Sequence, residues 1–196
     1  HPEVLRKMEK AGFFMLMLGI ESTQDKTLGS MRKGFDTARI RQCFNVLGQS
    51  SMILNGYFIL GCIGESVQEM LQIVPFSREL GLDSIAISIL RSSPYSGLDE
   101  LVAESSGYHI ALNGKIYSDH CSVRELKDLR RRIYREFFTP GQLFRIARKV
   151  IRHGVLRFLP RVLPRLPRLA WSVAANYREH SQRRQARKPA AETVPV

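Results

Sequence analysis

Hydrophobic residues form three short runs separated by stretches with helical spacing. The runs cover residues 13–20, 53–63 and 84–90, while apolar positions recur every three or four residues in 36–48 and 66–80. Short apolar runs that alternate with helices at this spacing indicate βαβ units, in which parallel strands are joined by right-handed crossovers. We therefore predict an α/β fold built on a parallel sheet.

The flanking segments have weaker but readable patterns. We predict helices over 2–10, 123–138 and 142–158, a loop with one helical turn over 23–34, a turn-rich loop over 91–97 that leads into 98–104, and a hairpin around Asn113-Gly114. Asp36 or Thr37 is expected to cap the second helix, Ser66 and Glu69 to form a capping box, and Pro75 to kink the helix that follows. The predicted organisation is 1–105 as the sheet domain, 106–141 as a hairpin and helix extension, 142–177 as a basic amphipathic helical segment, and 178–196 as a disordered tail.

Polar residues recur where the first two strands end. A Glu-Ser pair follows a glycine in both places, as Glu21-Ser22 and Glu65-Ser66. Ligands of parallel α/β folds bind at the carboxyl ends of the strands, so these side chains are candidates for a binding site. The alternative is that both glutamates open the next helix and favour its dipole. The recurrence of the pair favours a site.

Several short motifs resemble those of the radical S-adenosylmethionine superfamily. They are, in chain order, residues 19–22 (GIES), 31–34 (MRKG), 56–61 (GYFILG), 64–66 (GES) and 93–97 (SPYSG). More narrowly, they resemble members that carry a cobalamin-binding domain before the radical core. The resemblance covers about residues 1–105 and implies the second half of a partial, TIM-barrel-like parallel (β/α) barrel, here followed by a basic helical extension.

The resemblance also implies roles for individual residues. Glu21 and Ser22 match the positions that contact the ribose and methionine part of S-adenosylmethionine. Gly56, Gly61 and Glu65 match the strand and loop beside the adenine. These roles are chemically reasonable, because glycine lets a backbone approach a flat ring closely and a carboxylate accepts two sugar hydroxyls. Lys33 is interpreted as a solvated lysine on a polar loop.

Two departures from the family pattern affect the expected chemistry. Ile63 stands where relatives usually have proline, and the CxxxCxxC loop that binds the [4Fe-4S] cluster is absent from this sequence. Cys43, Cys62 and Cys121 do not have the spacing to replace it. We therefore expect this chain to be the C-terminal part of an enzyme whose missing N-terminal half holds the cluster, and to generate no radicals alone.

The charge is concentrated in the C-terminal third. Residues 1–123 carry 11 basic and 13 acidic side chains, whereas residues 124–188 carry 19 and 4. Three explanations remain open for the basic region: ordinary helices with solvated arginines, an anionic membrane surface bound through residues 142–171 with Trp171 at the interface, and nucleic-acid binding. The last has the least support, because no zinc, helix-turn-helix or stacking motif accompanies the charge.

Composition narrows the remaining possibilities. The chain is 44% hydrophobic and 24% charged, as in ordinary globular domains, and its longest apolar run is too short to span a bilayer. Three unpaired cysteines and no signal pattern favour the cytoplasm, peripheral to the inner face of the membrane if the tail binds lipid.

The predicted function is a share in an iron-sulfur-dependent radical reaction, such as methylation or cyclisation of a small-molecule, lipid-like or tetrapyrrole-like substrate. Cobalamin is a further cofactor that the resemblance suggests. Two alternatives remain: a non-catalytic remnant that keeps a nucleotide pocket, and a membrane-surface adaptor that acts through the basic tail.

Overall fold

The computed structural model describes residues 1–93, 96–158, 160 and 164. The chain divides into two compact units, residues 1–153 and 154–196. The first contains, in chain order, α1 (Pro2–Lys10), β1 (Met15–Glu21), α2 (Asp25–Ser30), α3 (Thr37–Leu47), β2 (Ile53–Leu60), α4 (Val67–Leu71), α5 (Ile73–Glu79), β3 (Ser84–Ile89), α6 (Leu98–Glu104), β4 (Tyr108–Ile110), β5 (Ile116–Ser118), α7 (Val123–Phe137) and α8 (Pro140–Arg152). In the second, the structure describes a 3-10 turn over Val155–Phe158.

The main sheet has three parallel strands in the order β1-β2-β3. Met15 lies opposite Ile53 at one end of the sheet, and Leu60 lies opposite Ile89 at the other. The predicted α/β class and the parallel strands are therefore confirmed. Whether the sheet belongs to a half-barrel stays a prediction.

One face of this sheet carries the hydrophobic core. Side chains that alternate along the strands, such as Ile20, Phe58 and Ile87, are almost fully buried against the helices. The core cluster also includes Leu28, Ile40, Phe44, Met70, Ile73, Val74, Phe76, Leu80 and Leu82. Burial of this apolar set, at about 25 cal/mol per Å², is what drives the helices onto one face.

The predicted helix boundaries are confirmed where a capping side chain sets them. The Asp36 carboxylate accepts from the Arg39 N–H, and Ser66 and Glu69 form a reciprocal capping box. Near Pro75 the expected kink is a break, since α4 ends at Leu71 and α5 begins at Ile73. Proline has no N–H to continue the ladder, so the helix restarts around it.

The predicted hairpin and the helix after it are also present. β4 and β5 pair antiparallel, and the apolar face of α7, from Leu126 to Phe137, belongs to the same core as the sheet. The Tyr134 hydroxyl accepts from the Ile87 N–H at 2.9 Å, so α7 covers the outer edge of β3. The core continues across residue 105, where we predicted a domain boundary.

The helix expected over 142–158 is shorter than the sequence suggested. α8 begins at Pro140 after the Thr139 cap and ends at Arg152, because Gly154 turns the chain with φ +62°. Apolar residues continue at helical spacing beyond Arg152, so the hydrophobic pattern alone did not show where the helix ends. The second half of the predicted 142–177 segment, apart from residues 160 and 164, and all of the predicted disordered tail, 178–196, lie outside the described residues.

Within the part of the chain that the structure describes, no helix is long and apolar enough to cross a membrane.

Candidate functional site

The residues predicted from the two Glu-Ser pairs converge at the carboxyl ends of β1 and β2. Ser22, which is 1% exposed, donates from Oγ to Glu65 Oε1 at 2.8 Å although the two residues are 43 apart in sequence. The two residues are close because β1 and β2 are neighbouring parallel strands, whose carboxyl ends lie at the same edge of the sheet. Ser66 is not part of the group, since its side chain caps α4.

Glu21 ends β1 in a backbone conformation that is rare for a residue with a side chain. Its φ is +70°, and the pairing of β1 with β2 shifts register between Gly19 and Glu21. The carboxylate folds back over Gly19, where an added Cβ would lie 2.8 Å from Glu21 Oε1. Lys33 Nζ binds the same oxygen at 2.9 Å. The β-bulge turns Glu21 back along the strand, and the absence of a side chain on Gly19 leaves room for the Glu21 carboxylate there.

This carboxylate lies on the sheet face that faces away from the core. Gly19 alternates with the buried Ile20, so the two point to opposite faces of β1. The same face carries Met17, which is 63% exposed, and Tyr57, which is 37% exposed and donates from its hydroxyl to Met17 Sδ at 3.7 Å. We call this surface, formed by Met17, Gly19, Glu21, Tyr57 and Ser88, the open face. It is accessible to a ligand.

Glu65 is the most perturbed carboxyl group at this edge. Burial raises its pKa to about 7, and the hydrogen bond from Ser22 offsets only part of that effect. Its Oε2 is buried without a hydrogen-bond partner in the described residues. Gly64 before it, at φ +80°, donates its N–H to the Tyr108 hydroxyl at 2.7 Å and accepts from Lys26 Nζ at 2.9 Å. The loop is therefore fixed, and one buried carboxyl oxygen of Glu65 is left without a partner among the described residues.

Cys62 lies beside both carboxylates and is buried. Burial raises the pKa of the Cys62 thiol, and the charges of Glu65 and Glu21 raise it further. A neutral thiol is a poor nucleophile and a poor metal ligand. Among the described residues, no group of three His, Cys, Asp or Glu side chains is placed to hold a metal ion. The residues present here do not fit the iron-sulfur cluster that the resemblance implies.

The two glycines predicted beside the adenine have packing roles in this structure. A Cβ on Gly56 would lie 2.6 Å from Leu82 Cδ1 and 2.9 Å from Ile20 Cδ1, so Gly56 points into the core. Gly61 turns the chain with φ +78° under Leu126, and its N–H donates to Met70 Sδ at 3.2 Å. Gly61 lies at the ligand edge, whereas Gly56 lies five residues earlier within β2. Their contact with a cofactor stays a prediction.

The helix-opening alternative for Glu21 and Glu65 does not match the structure. The acidic residue in the first turn of α2 is Asp25, and in α4 it is Glu69. Lys33, interpreted as solvated, instead pairs with Glu21 and is 32% exposed in its side chain. Tyr57 and Tyr108 were also not predicted at the site. The alternation along β2 places Tyr57 on the open face, but no local signal links Tyr108 to residue 64.

Comparisons with known proteins add little to this geometry. No protein-family model matches the chain, and no curated protein matches it. Among solved structures, coproporphyrinogen III oxidase (HemN) from Escherichia coli, described as a radical SAM enzyme, is similar at 17% identity and a TM-score of 0.41. The match covers 64% of this chain and 34% of that protein, so the chain spans about a third of its length. At this level of similarity the match carries no functional argument.

The raised pKa of Glu65 predicts that ionising this group costs stability. Its folded-state pKa of about 7 lies above the unfolded value of 4.5, so the folded protein holds a proton that the unfolded chain has released between those values. Stability should therefore fall by about 2 kcal/mol as pH rises from 5 to 8. In urea titrations, Glu65→Gln should remove this slope. A slope that persists unchanged in Glu65→Gln would assign it to other groups.

Proposed function

We propose that the carboxyl ends of β1 and β2 hold part of an S-adenosylmethionine molecule, and that the chain is the C-terminal part of a radical S-adenosylmethionine protein. The observation that carries this proposal is the Glu21 carboxylate, which lies over Gly19 on the open face. Beside it, the hydrogen-bonded pair Ser22 and Glu65 adds a second polar group at the same edge.

The chemistry of these groups suits the ribose and methionine part of the cofactor. Glu21 offers acceptor oxygens for two sugar hydroxyls or for the ammonium of the methionine moiety. Lys33, 2.9 Å from that carboxylate, is a cation that can meet the carboxylate of the same moiety. Glu65 supports this edge through its hydrogen bond with Ser22, because its second carboxyl oxygen is buried.

The edge of the sheet beside the candidate site has room for further strands and helices. β1 has a strand partner on one side alone within the described residues, since the sheet order places it at the edge. Along that edge lies a cleft of about 370 Å³ lined by residues 11–15 and Met17, and a second of about 420 Å³ between β1 and α3 that is lined by Leu18, Phe35 and Phe44. Further βα units of a longer protein would cover these apolar surfaces.

In this proposal the remaining parts of the reaction belong to that longer protein. The [4Fe-4S] cluster, which supplies the electron that cleaves the cofactor, needs three cysteine thiolates from outside this sequence. The open face, with Tyr57 and Ser88, then faces a small or lipid-like substrate. Methylation and cyclisation are the reactions that we propose for it, with cobalamin as an additional cofactor of the first.

Amide chemical shifts of the chain during titration with S-adenosylmethionine test this proposal. Because half a site binds weakly, we expect a dissociation constant on the order of 1 mM. The amides of Gly19, Glu21, Ser22 and Glu65 should shift together and saturate. Adenosine and methionine as separate ligands show which part of the cofactor is held. No saturable shifts up to about 10 mM, or shifts confined to another surface, would reject the proposal.

A further inference from the structure

The last helix of the first unit is attached to the protein by its polar face. Lys149 Nζ binds Asp83 Oδ2 at 2.6 Å and the Met52 carbonyl at 2.9 Å. Gln142 Nε2 donates to the Leu82 carbonyl at 3.0 Å, and His153 Nε2 lies 2.8 Å from the Ser51 carbonyl. These partners lie at the amino ends of β2 and β3, so α8 covers the opposite end of the sheet from the candidate site.

Four apolar side chains of α8 consequently face outward, whereas Ile146 and Val150 are partly buried. Leu143 is 53% exposed, Phe144 is 72% exposed and Ile151 is 61% exposed, and Ala147 between them is exposed as well. At three- and four-residue spacing these positions form one continuous stripe along the helix. No residue of α8 is fully buried. An amphipathic helix that normally hides its apolar face therefore presents it here.

Basic side chains border this stripe. Arg148 and Arg152 are exposed and lie next to Phe144 and Ile151 on the helical wheel. Arg148 has no hydrogen bond or ion pair among the described residues. α8 contains four basic residues and no acidic residue, and the sequence from 124 to 188 has a net charge of +15. The surface therefore combines an apolar strip with a positive border.

We propose that this stripe binds an anionic membrane surface, with Leu143, Phe144, Ala147 and Ile151 inserted among the lipid chains and Arg148 and Arg152 on the headgroups. Charge complementarity selects anionic lipid, since long arginine side chains at the edge of an apolar strip reach headgroup phosphates. The convex surface of a single helix also suits a flat bilayer. The sheet end that carries the candidate site then points away from the membrane, because α8 lies at the other end.

Co-sedimentation with phosphatidylglycerol-containing vesicles tests this surface without disturbing the fold. The double variant Phe144→Ser, Ile151→Ser should lose at least about tenfold in partitioning. The matched control Val4→Ser, Leu112→Ser changes two residues that are 53% and 103% exposed elsewhere, and it should partition like the unchanged protein. Circular dichroism confirms that each variant is folded, as expected for substitutions at exposed positions.

The basic border has a matched test of its own. Arg148→Gln, Arg152→Gln should weaken binding about thirtyfold, since two basic residues near an anionic surface together contribute roughly 2 kcal/mol. Arg124→Gln, Arg135→Gln removes the same charge from exposed positions on α7 and should have a much smaller effect. Neutral phosphatidylcholine vesicles should bind the unchanged protein at least tenfold more weakly.

Insertion of the stripe has a direct optical signature. With Trp171→Phe as background, Phe144→Trp should shift its emission to the blue on vesicles and be quenched by brominated lipid chains. Failure of the protein to bind anionic vesicles at low salt would overturn the proposal. So would equal binding of the serine double variant, which would assign lipid binding to the rest of the basic sequence. A concentration-dependent dimer that Phe144→Ser abolishes would assign the stripe to a second copy instead.

Discussion

Replacing Asp83 by alanine will destabilise the folded protein by about 3–5 kcal/mol. The side chain is 1% exposed, and its Oδ2 accepts from Lys149 Nζ and from the Leu54 N–H at 2.9 Å. Arg145 Nε lies 3.4 Å from Oδ1. Without the carboxylate, a half-buried ammonium and a buried backbone N–H lose their partner, and the attachment of α8 to β2 and β3 weakens.

Urea denaturation measures the change in the free energy of unfolding, and Asp119→Ala is the matched variant for comparison. Asp119 also has a side-chain partner, His109 Nε2 at 2.6 Å, but its own side chain is 62% exposed, so Asp119→Ala should change stability by less than about 1 kcal/mol. Lys149→Met should lower the free energy of unfolding by less than Asp83→Ala does, because the Asp83 carboxylate then keeps Arg145 and the Leu54 N–H as partners. If Asp83→Ala cost no more than Asp119→Ala, the buried cluster would not be what fixes α8.

The second large effect is expected at Gly56. Gly56→Val should cost about 3 kcal/mol or more, because the first added carbon would already lie 2.6 Å from Leu82 Cδ1 and 2.9 Å from Ile20 Cδ1. Leu82 and Ile20 are almost fully buried in the core, so the ends of their side chains would have to move within packed surroundings. Thermal or urea unfolding measures the cost directly.

The control for this variant is another glycine with free space around it. A Cβ on Gly29 in α2 would meet nothing within 4 Å, so Gly29→Val should leave stability unchanged or raise it slightly. Equal effects of the two substitutions would contradict the packing role of Gly56. If Gly56→Val is destabilising and Gly29→Val is not, core packing by itself explains why residue 56 is glycine, whether or not a cofactor lies nearby.

Much of the fold follows from local patterns that the sequence displays openly. Apolar runs and capping residues such as Asp36 and Ser66 fix the strands and helix starts of residues 1–80, and Asn113-Gly114 fixes the hairpin. These signals are reliable because each depends on neighbours in the chain. The end of α8 was missed because the apolar spacing continues beyond Gly154, and only the left-handed backbone there stops the helix.

The candidate site was predicted in part. Parallel strands end at one edge, so the nearness of Ser22 and Glu65 follows from the strand assignment alone. The pairing of Lys33 with Glu21 does not, because it depends on how the loop after α2 returns to β1. The same limit applies to α8, since no pattern in its sequence shows that Lys149 would bind a buried carboxylate and leave Phe144 exposed.

The affinity of the chain for S-adenosylmethionine, compared between matched carboxylate variants, is the direct test of cofactor binding at Glu21. Glu21→Gln removes the charge on the open face, while Glu136→Gln removes one from an exposed position on α7. The expected result is that Glu21→Gln weakens binding by at least about tenfold, as for a lost hydrogen bond to a charged group, and that Glu136→Gln has no effect. Equal affinities for both variants, or no measurable binding by the unchanged chain, would contradict it.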